Sequence, residues 1–198
     1  MGLGSTAASA APQCAPTARI SVEKYPSAEK ILGGNNLVQP AGKALPAQGQ
    51  VLILNGEVVD SNCAPVSEVI VELWQNDPYG KRILADRAAL ASAEPTFAGA
   101  GRTYTDLDGK FAFITLFPAP LNKRAPFLNL KVKGQGIKSI STALFFSDDA
   151  RNAEDKIYQK LKPQAQQDVT ITMSEDSVGN LIGTVRIVLN EKAPFRTY

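Results

Sequence analysis

The chain contains no histidine in its 198 residues. No serine or cysteine can therefore be activated by an imidazole base, and the commonest nitrogen ligand of transition metals is missing. Cysteine is nearly absent too, limited to Cys14 and Cys63, each in a Cys-Ala-Pro context. Two thiols so far apart make no metal motif, and neither stands beside a basic run that would activate it. An excess of charge is also lacking. Lys+Arg 21 against Asp+Glu 19 leave a net charge of +2, which does not suggest nucleic acid or an anionic membrane as partner. No stretch reaches the roughly 18 apolar residues that a bilayer span needs. There is one tryptophan, Trp74, and no evident internal repeat.

Against these absences stands a hydrophobic content of 44%, ample for one domain with extensions. Residues 1–19 read as a flexible tail or a signal remnant. Residues 20–49, with Pro26, Gly33-Gly34, Asn35-Asn36, Pro40 and Pro46, read as an irregular N-terminal arm. From residue 50 to 198 the pattern becomes short β-type runs separated by turn signals, which predicts an all-β, single antiparallel β-sandwich. The runs are Gln50–Val59, Glu68–Gln75, Lys110–Leu116, Phe127–Lys133, Lys138–Phe146, Val169–Met173 and Leu181–Leu189. Asp106-Leu107-Asp108-Gly109 carries the chemistry of a hairpin turn. Ser147-Asp148-Asp149 supplies N-cap chemistry for one short helix over 150–161.

Alternation assigns faces. In Phe127–Lys133, Leu128, Leu130 and Val132 share one face, expected to meet the core, while Phe127, Asn129, Lys131 and Lys133 share the other. Trp74 lies opposite Val71 and Leu73 and is expected to pack between sheet and loop. The alanine-rich segment Ile83–Ala100 reads as a connecting loop or a helical turn. Lys123, Arg124, Lys131, Lys133 and Lys138 form the one basic concentration, expected to be a solvated strand face.

Five runs in order carry a family resemblance: Gly56-Glu57-Val58-Val59-Asp60, Cys63-Ala64-Pro65-Val66, Val71-Glu72-Leu73-Trp74-Gln75-Asn76-Asp77, the stretch Gly101–Phe113, and Thr142-Ala143-Leu144-Phe145-Phe146-Ser147-Asp148-Asp149. With them the chain resembles the intradiol ring-cleavage dioxygenases, the catechol and protocatechuate dioxygenase family. That family holds ferric iron with two tyrosinates and two histidines, hard phenolates suiting a hard trivalent ion. The resemblance places Arg82, after Gly80-Lys81, where the first tyrosine belongs, and Leu121, after Pro118-Ala119-Pro120, where the second belongs. Phe127 and Asn129 stand in the Arg-Pro-Ala-His-x-His positions. Arg124 matches the family's arginine beside the histidines, and Ala143 replaces a nearby glutamine. Tyr79, three residues before Arg82, is the one phenol that a register shift would bring inward. The expectation is a vestigial iron site at Arg82, Leu121, Phe127 and Asn129, with no cofactor. Around it lies a pocket bordered by Arg124, Trp74 and Ala143.

The resemblance to secreted members also implies a Cys14–Cys63 disulfide, with two free buried thiols as the alternative, and hence a secreted or periplasmic protein. A small, apolar N-terminus with Ala8-Ser9-Ala10 fits a signal-peptidase site, but no Lys or Arg precedes Arg19. Three functions remain open. One is a catalytically inactive structural or assembly subunit whose N- and C-terminal arms reach protein partners in a homo- or hetero-oligomer. Another is a non-catalytic partner subunit, or a divergent enzyme, in aromatic ring cleavage. The last is a binding protein for an aromatic or carbohydrate ligand in the vestigial pocket.

Overall fold

A computed structural model of the chain describes residues 13–21, 31–81 and 94–191. Its strands are β1 (Leu32–Gly33), β2 (Val51–Val59), β3 (Ile70–Trp74), β4 (Ala100–Tyr104), β5 (Lys110–Leu116), β6 (Phe127–Lys133), β7 (Ile140–Phe146), β8 (Thr170–Glu175) and β9 (Leu181–Val188). They hydrogen-bond in the order β1-β4-β3-β6-β7-β8-β9-β2-β5. The helices are α1 (Lys156–Gln159) and α2 (Pro163–Asp168), after a 3-10 turn at Ala150–Ala153.

Period-2 burial builds the core. Leu52, Leu54 and Val58 of β2, Val71 and Leu73 of β3, and Leu128, Leu130 and Val132 of β6 are all fully enclosed in one cluster. Each contributes roughly 1.5–3 kcal/mol by leaving water. Strand β8 joins the halves: Thr170 and Ile171 pair with β7, while Thr172–Glu175 pair with β9. Gly56 is the tight point of β2. A Cβ there would lie 2.2 Å from Cζ of Phe111, its cross-strand partner, so the ring fills the space a side chain would take.

Several expectations need correction. The sheet is mixed, because β2 runs parallel to β9 over eight residue pairs, and β1–β4 and β7–β8 are parallel as well. Alternation within a strand says nothing about the direction of its neighbour. Strand β4 was not expected, since Ala-Gly-Arg-Thr-Tyr carries no hydrophobic period. The Asp106–Gly109 turn closes as expected, with Gly109 N–H donating to Asp106 O at 3.0 Å. It is no hairpin, however: β4 pairs with β3 and β5 with β2, so the turn crosses between sheets. The single helix over 150–161 is instead two pieces. Asp149 caps the first through Arg151 N–H, and Asp155 restarts the second by accepting from Ile157 and Tyr158 N–H. Helix α2 follows, with Pro163 in its first turn.

The described parts of the tail and arm pack on their own domain rather than reaching outward. Cys14 and Cys63 are disulfide-bonded, with Cα atoms 5.3 Å apart. From there residues 14–20 form a strap between β7 and β9. Thr17 N–H donates to Val188 O at 3.1 Å, Val188 N–H donates to Thr17 Oγ1 at 2.9 Å, and Thr142 Oγ1 donates to Ala18 O at 2.8 Å. Ile20 enters the core. On the opposite side residues 34–37 bridge the two outer strands: Gly34 and Arg102 exchange backbone bonds, while Leu37 N–H donates to Ile114 O at 2.8 Å. Leu37 is buried with Val38 and Ala47. In place of two separate layers, the strands form one continuous sheet curled to a nearly closed barrel, with the strap and the arm packed at its gaps.

Candidate functional site

The outer face of the β4-β3-β6-β7 sheet carries one buried row in direct register, formed by Ala100, Trp74, Asn129 and Ala143. Asn129 Nδ2 donates to the Trp74 carbonyl at 3.1 Å. Trp74 packs with Ile31 and Ala100 in a cluster separate from the main core. The alternation had placed Asn129 and Trp74 away from the core proper, and that is where they sit. Their face is nonetheless buried, so Phe127–Asn129 is enclosed on both sides.

One step along the same face lies an aromatic pair across β6 and β7, Phe127 and Phe145, with ring centroids 6.4 Å apart. The Arg124 guanidinium stacks 4.4 Å above the Phe127 ring, an arrangement in which the ring's negative face meets the cation. Arg124 Nε donates to Asp155 Oδ2 at 2.6 Å, and the Ala125 N–H donates to the same oxygen at 3.0 Å. The other oxygen of Asp155 caps α1. Tyr158 on α1 closes the group, edge-on to Phe145 at 4.9 Å. One buried carboxylate thus ties the 121–126 loop, β6 and α1 together. Sequence reasoning missed Asp155, although an aspartate just before Lys-Ile-Tyr-Gln is a readable N-cap signal.

The polar residues after Trp74 bind loops. Gln75 Nε2 donates to Leu116 O at 2.8 Å and its Oε1 accepts from Thr115 Oγ1 at 2.7 Å. Asn76 Nδ2 donates to Ala119 O at 2.7 Å, anchoring the Pro118-Ala119-Pro120 turn. Asp77 is fully buried; Oδ1 accepts from Tyr79 and Lys81 N–H, and Oδ2 from Glu94 N–H at 2.9 Å. That single carboxylate gathers both ends of the loop between residues 81 and 94. The Gln-Asn-Asp run is therefore architectural, its buried side chains held by backbone groups and by the Thr115 hydroxyl.

Of the site residues expected from sequence, Phe127, Asn129, Trp74, Ala143 and Arg124 share this face. Leu121 is half-buried and accepts from Arg124 N–H at 3.0 Å through a tight turn. Arg82 lies outside the described residues, as does most of Ile83–Ala100. Tyr79 is 61% exposed and does not turn inward. Within the basic concentration Lys133 Nζ lies 2.8 Å from the buried Glu72 and Arg124 sits on Asp155, while Lys123 and Lys138 are exposed as expected of a solvated face. Among the described residues no three His, Cys, Asp or Glu side chains converge as a metal-binding group. No described helix is long and apolar enough to cross a membrane.

Comparison with known proteins agrees with this architecture. The family profile described as Dioxygenase matches residues 35–190. A Rickettsia conorii protein named as a dioxygenase is 27% identical over 121 residues, 58% of each chain. The chain thus spans little more than half the length of such relatives. The beta chain of protocatechuate 3,4-dioxygenase from Burkholderia cepacia is 29% identical over 146 residues, covering 70% of this chain and 62% of that one. The alpha chain from the same organism is 32% identical over 146 residues, 72% of each. Among solved structures, the dioxygenase domain of a dioxygenase carbohydrate-binding protein fusion from Streptomyces sp. SirexAA-E superposes with a TM-score of 0.70 at 22% identity. It covers 89% of this chain and 99% of that one. An intradiol ring-cleavage dioxygenase from Tetranychus urticae gives 0.69 at 20%, covering 91% and 98%. With the profile spanning most of its length and the mostly-β fold matching, the chain belongs to the intradiol ring-cleavage dioxygenase family.

Proposed function

We propose that this chain is a catalytically inactive family member that serves as a structural or assembly subunit. The observation that carries the reading is the donor set on the outer sheet face. Leu121 and Phe127 offer only carbon, and Asn129, its Nδ2 bonded to the Trp74 carbonyl, offers a neutral amide oxygen in place of an imidazole. Arg124 stacks on Phe127 and is paired with Asp155, so it supplies no ligand either. By resemblance the fourth position is Arg82. These residues do not fit ferric iron, which asks for anionic oxygen and neutral imidazole.

What replaces the metal in this reading is a metal-free crosslink. Arg124, Asp155, Phe127 and Phe145 join the same loop, strands and helix around one point. A family fold whose centre is held by an ion pair keeps its shape without chemistry, which suits a scaffold. The disulfide supports an oxidising compartment, periplasmic or extracellular.

A second reading is favoured by the relatives' names. Since protocatechuate 3,4-dioxygenase has alpha and beta chains, this chain would be the non-catalytic partner of an active one.

Native mass spectrometry with metal analysis, run beside a catechol and protocatechuate ring-opening assay, tests both readings. An iron-free homo-oligomer without activity supports the first, and activity gained on mixing with a catalytic chain supports the second. Iron-loaded, ring-cleaving wild-type protein would overturn both.

A further inference from the structure

The opposite side of the molecule carries a groove of about 630 Å³ on the outer face of the β8-β9-β2-β5 sheet. Its floor is two polar rows in register. One runs Thr172, Thr184, Asn55, and beside it Arg186, Glu57 and Lys110 form the other. Helix α2 walls one side with Gln164, Gln167 and Asp168.

Its charged groups have neighbours within the chain: Arg186 pairs with Glu57, Lys110 lies 3.9 Å from Asp108 in an exposed contact, and Asp168 accepts from Gln164 Nε2 at 3.0 Å. Thr170 is occupied as well, donating to Gln166 O at 2.6 Å beside the Tyr158 hydroxyl. Asn55, Gln167 and Thr172 have no side-chain partner among the described residues, and Thr184 reaches one only at 3.5 Å. The uncommitted groups are therefore two carboxamides and two hydroxyls, each able both to donate and to accept. All are neutral and open to solvent.

That inventory narrows the ligand. Two acids, Glu57 and Asp168, and two bases, Lys110 and Arg186, line it, so the groove has no net charge to attract a phosphate, a carboxylate or an amine. It has no aromatic lining residue, so a catechol ring finds no stacking surface. A hydroxyl-rich neutral molecule matches donors and acceptors alternating across a flat sheet, and the open groove suits an extended one. We propose that this groove binds a neutral oligosaccharide through Asn55, Gln167, Thr172 and Thr184. The proposal does not rest on loss of the iron chemistry, which concerns the other sheet.

The test is a ¹⁵N-resolved NMR titration of the full chain with maltohexaose, cellohexaose and chitohexaose, and with a hexagalacturonate as charged control. The expected result is fast-exchange binding of at least one neutral hexamer, with Kd on the order of millimolar because no aromatic platform contributes. Shift changes should concentrate on Asn55, Gln167, Thr172 and Thr184 and spare Asn129 and Trp74. The double variant Asn55→Ala, Gln167→Ala should keep the wild-type melting temperature and bind about tenfold more weakly. Absence of shifts with all three neutral hexamers at about 10 mM, shifts confined to the other sheet, or binding of the charged hexamer alone would each overturn it. Shifts caused by self-association without sugar would make the groove a contact between chains, and would overturn it equally.

Discussion

Arg124 and Asp155 form an ion pair at 2.6 Å in which the carboxylate is wholly buried and the guanidinium largely so. The pair lies between the Phe127 ring and the first turn of α1. Removing the acid leaves Arg124 without its anion and α1 without its cap. Asp155→Ala should therefore lower unfolding free energy by about 3–5 kcal/mol, read from urea denaturation. Asp155→Asn, which keeps hydrogen-bonding capacity, should lose less. Equal, small losses in both would mean that the pair is not what fastens this corner.

The strap gives a second expectation. Cys14 and Cys63 are separated by 49 residues, and the chain-entropy model assigns such a crosslink about 4 kcal/mol. The Cys14→Ser, Cys63→Ser double variant should lose up to that amount. Hydrogen exchange should accelerate first at the Thr17 and Val188 amides, which the strap contacts hold. Unchanged protection there would show that the strap seats itself without the bond.

Asp149 supplies a pH dependence. The Arg151 guanidinium bonded to it, together with the Arg151 N–H it caps, holds its carboxyl below the ordinary range. A carboxyl depressed in the fold stabilises it above its unfolded pKa, about 3.9, and loses that contribution as pH falls through the folded value. Asp149→Asn retains an N-cap oxygen and removes only charge. Wild type should exceed it by about 0.5–1 kcal/mol at neutral pH, a modest amount because Arg151 is half-exposed. The gap should be constant above about pH 5 and close below about pH 4. A gap that widens on acidification would contradict the assignment.

The vestigial-site reading has a constructive test. The fourfold variant Arg82→Tyr, Leu121→Tyr, Phe127→His, Asn129→His restores two phenols and two imidazoles. It should take up Fe(III) and develop a visible tyrosinate-to-iron absorption, provided the four positions converge. Titration with ferric iron and metal analysis would read this directly. A variant that folds, shown by an unaltered far-UV spectrum, yet binds no iron would dispose of the positional assignment.

Strand positions were legible wherever burial alternates. Phe127–Lys133 emerged with the bounds read from sequence, and β2, β3, β7, β8 and β9 moved by one or two residues at an end. Asn129, Trp74 and Ala143 were readable as neighbours because the motifs fixed their strands, and register then aligned them. Strand β4 escaped because Gly101 and Arg102 are held by Gly34 and Leu73 across the sheet rather than by an apolar period. The strap escaped for a related reason. Thr17 earns its position from Val188, 171 residues away, and no local window contains that partner. Asp155 and Asp77 each collect local amides that a cap or turn pattern could announce, but their far partners, Arg124 and the Glu94 N–H, lie outside any local window.

That same long-range bond orders events during synthesis. The seat for Thr17 does not exist until β9 has been made and laid against β2, so the first described segment of the chain is among the last to dock. Until then Ile20 and one edge of the sandwich stay open to whatever surrounds the nascent protein. Contacts this distant in sequence slow folding, and an exposed edge invites pairing with another chain. A cell making this protein in quantity must therefore shield a nearly complete domain through its final step.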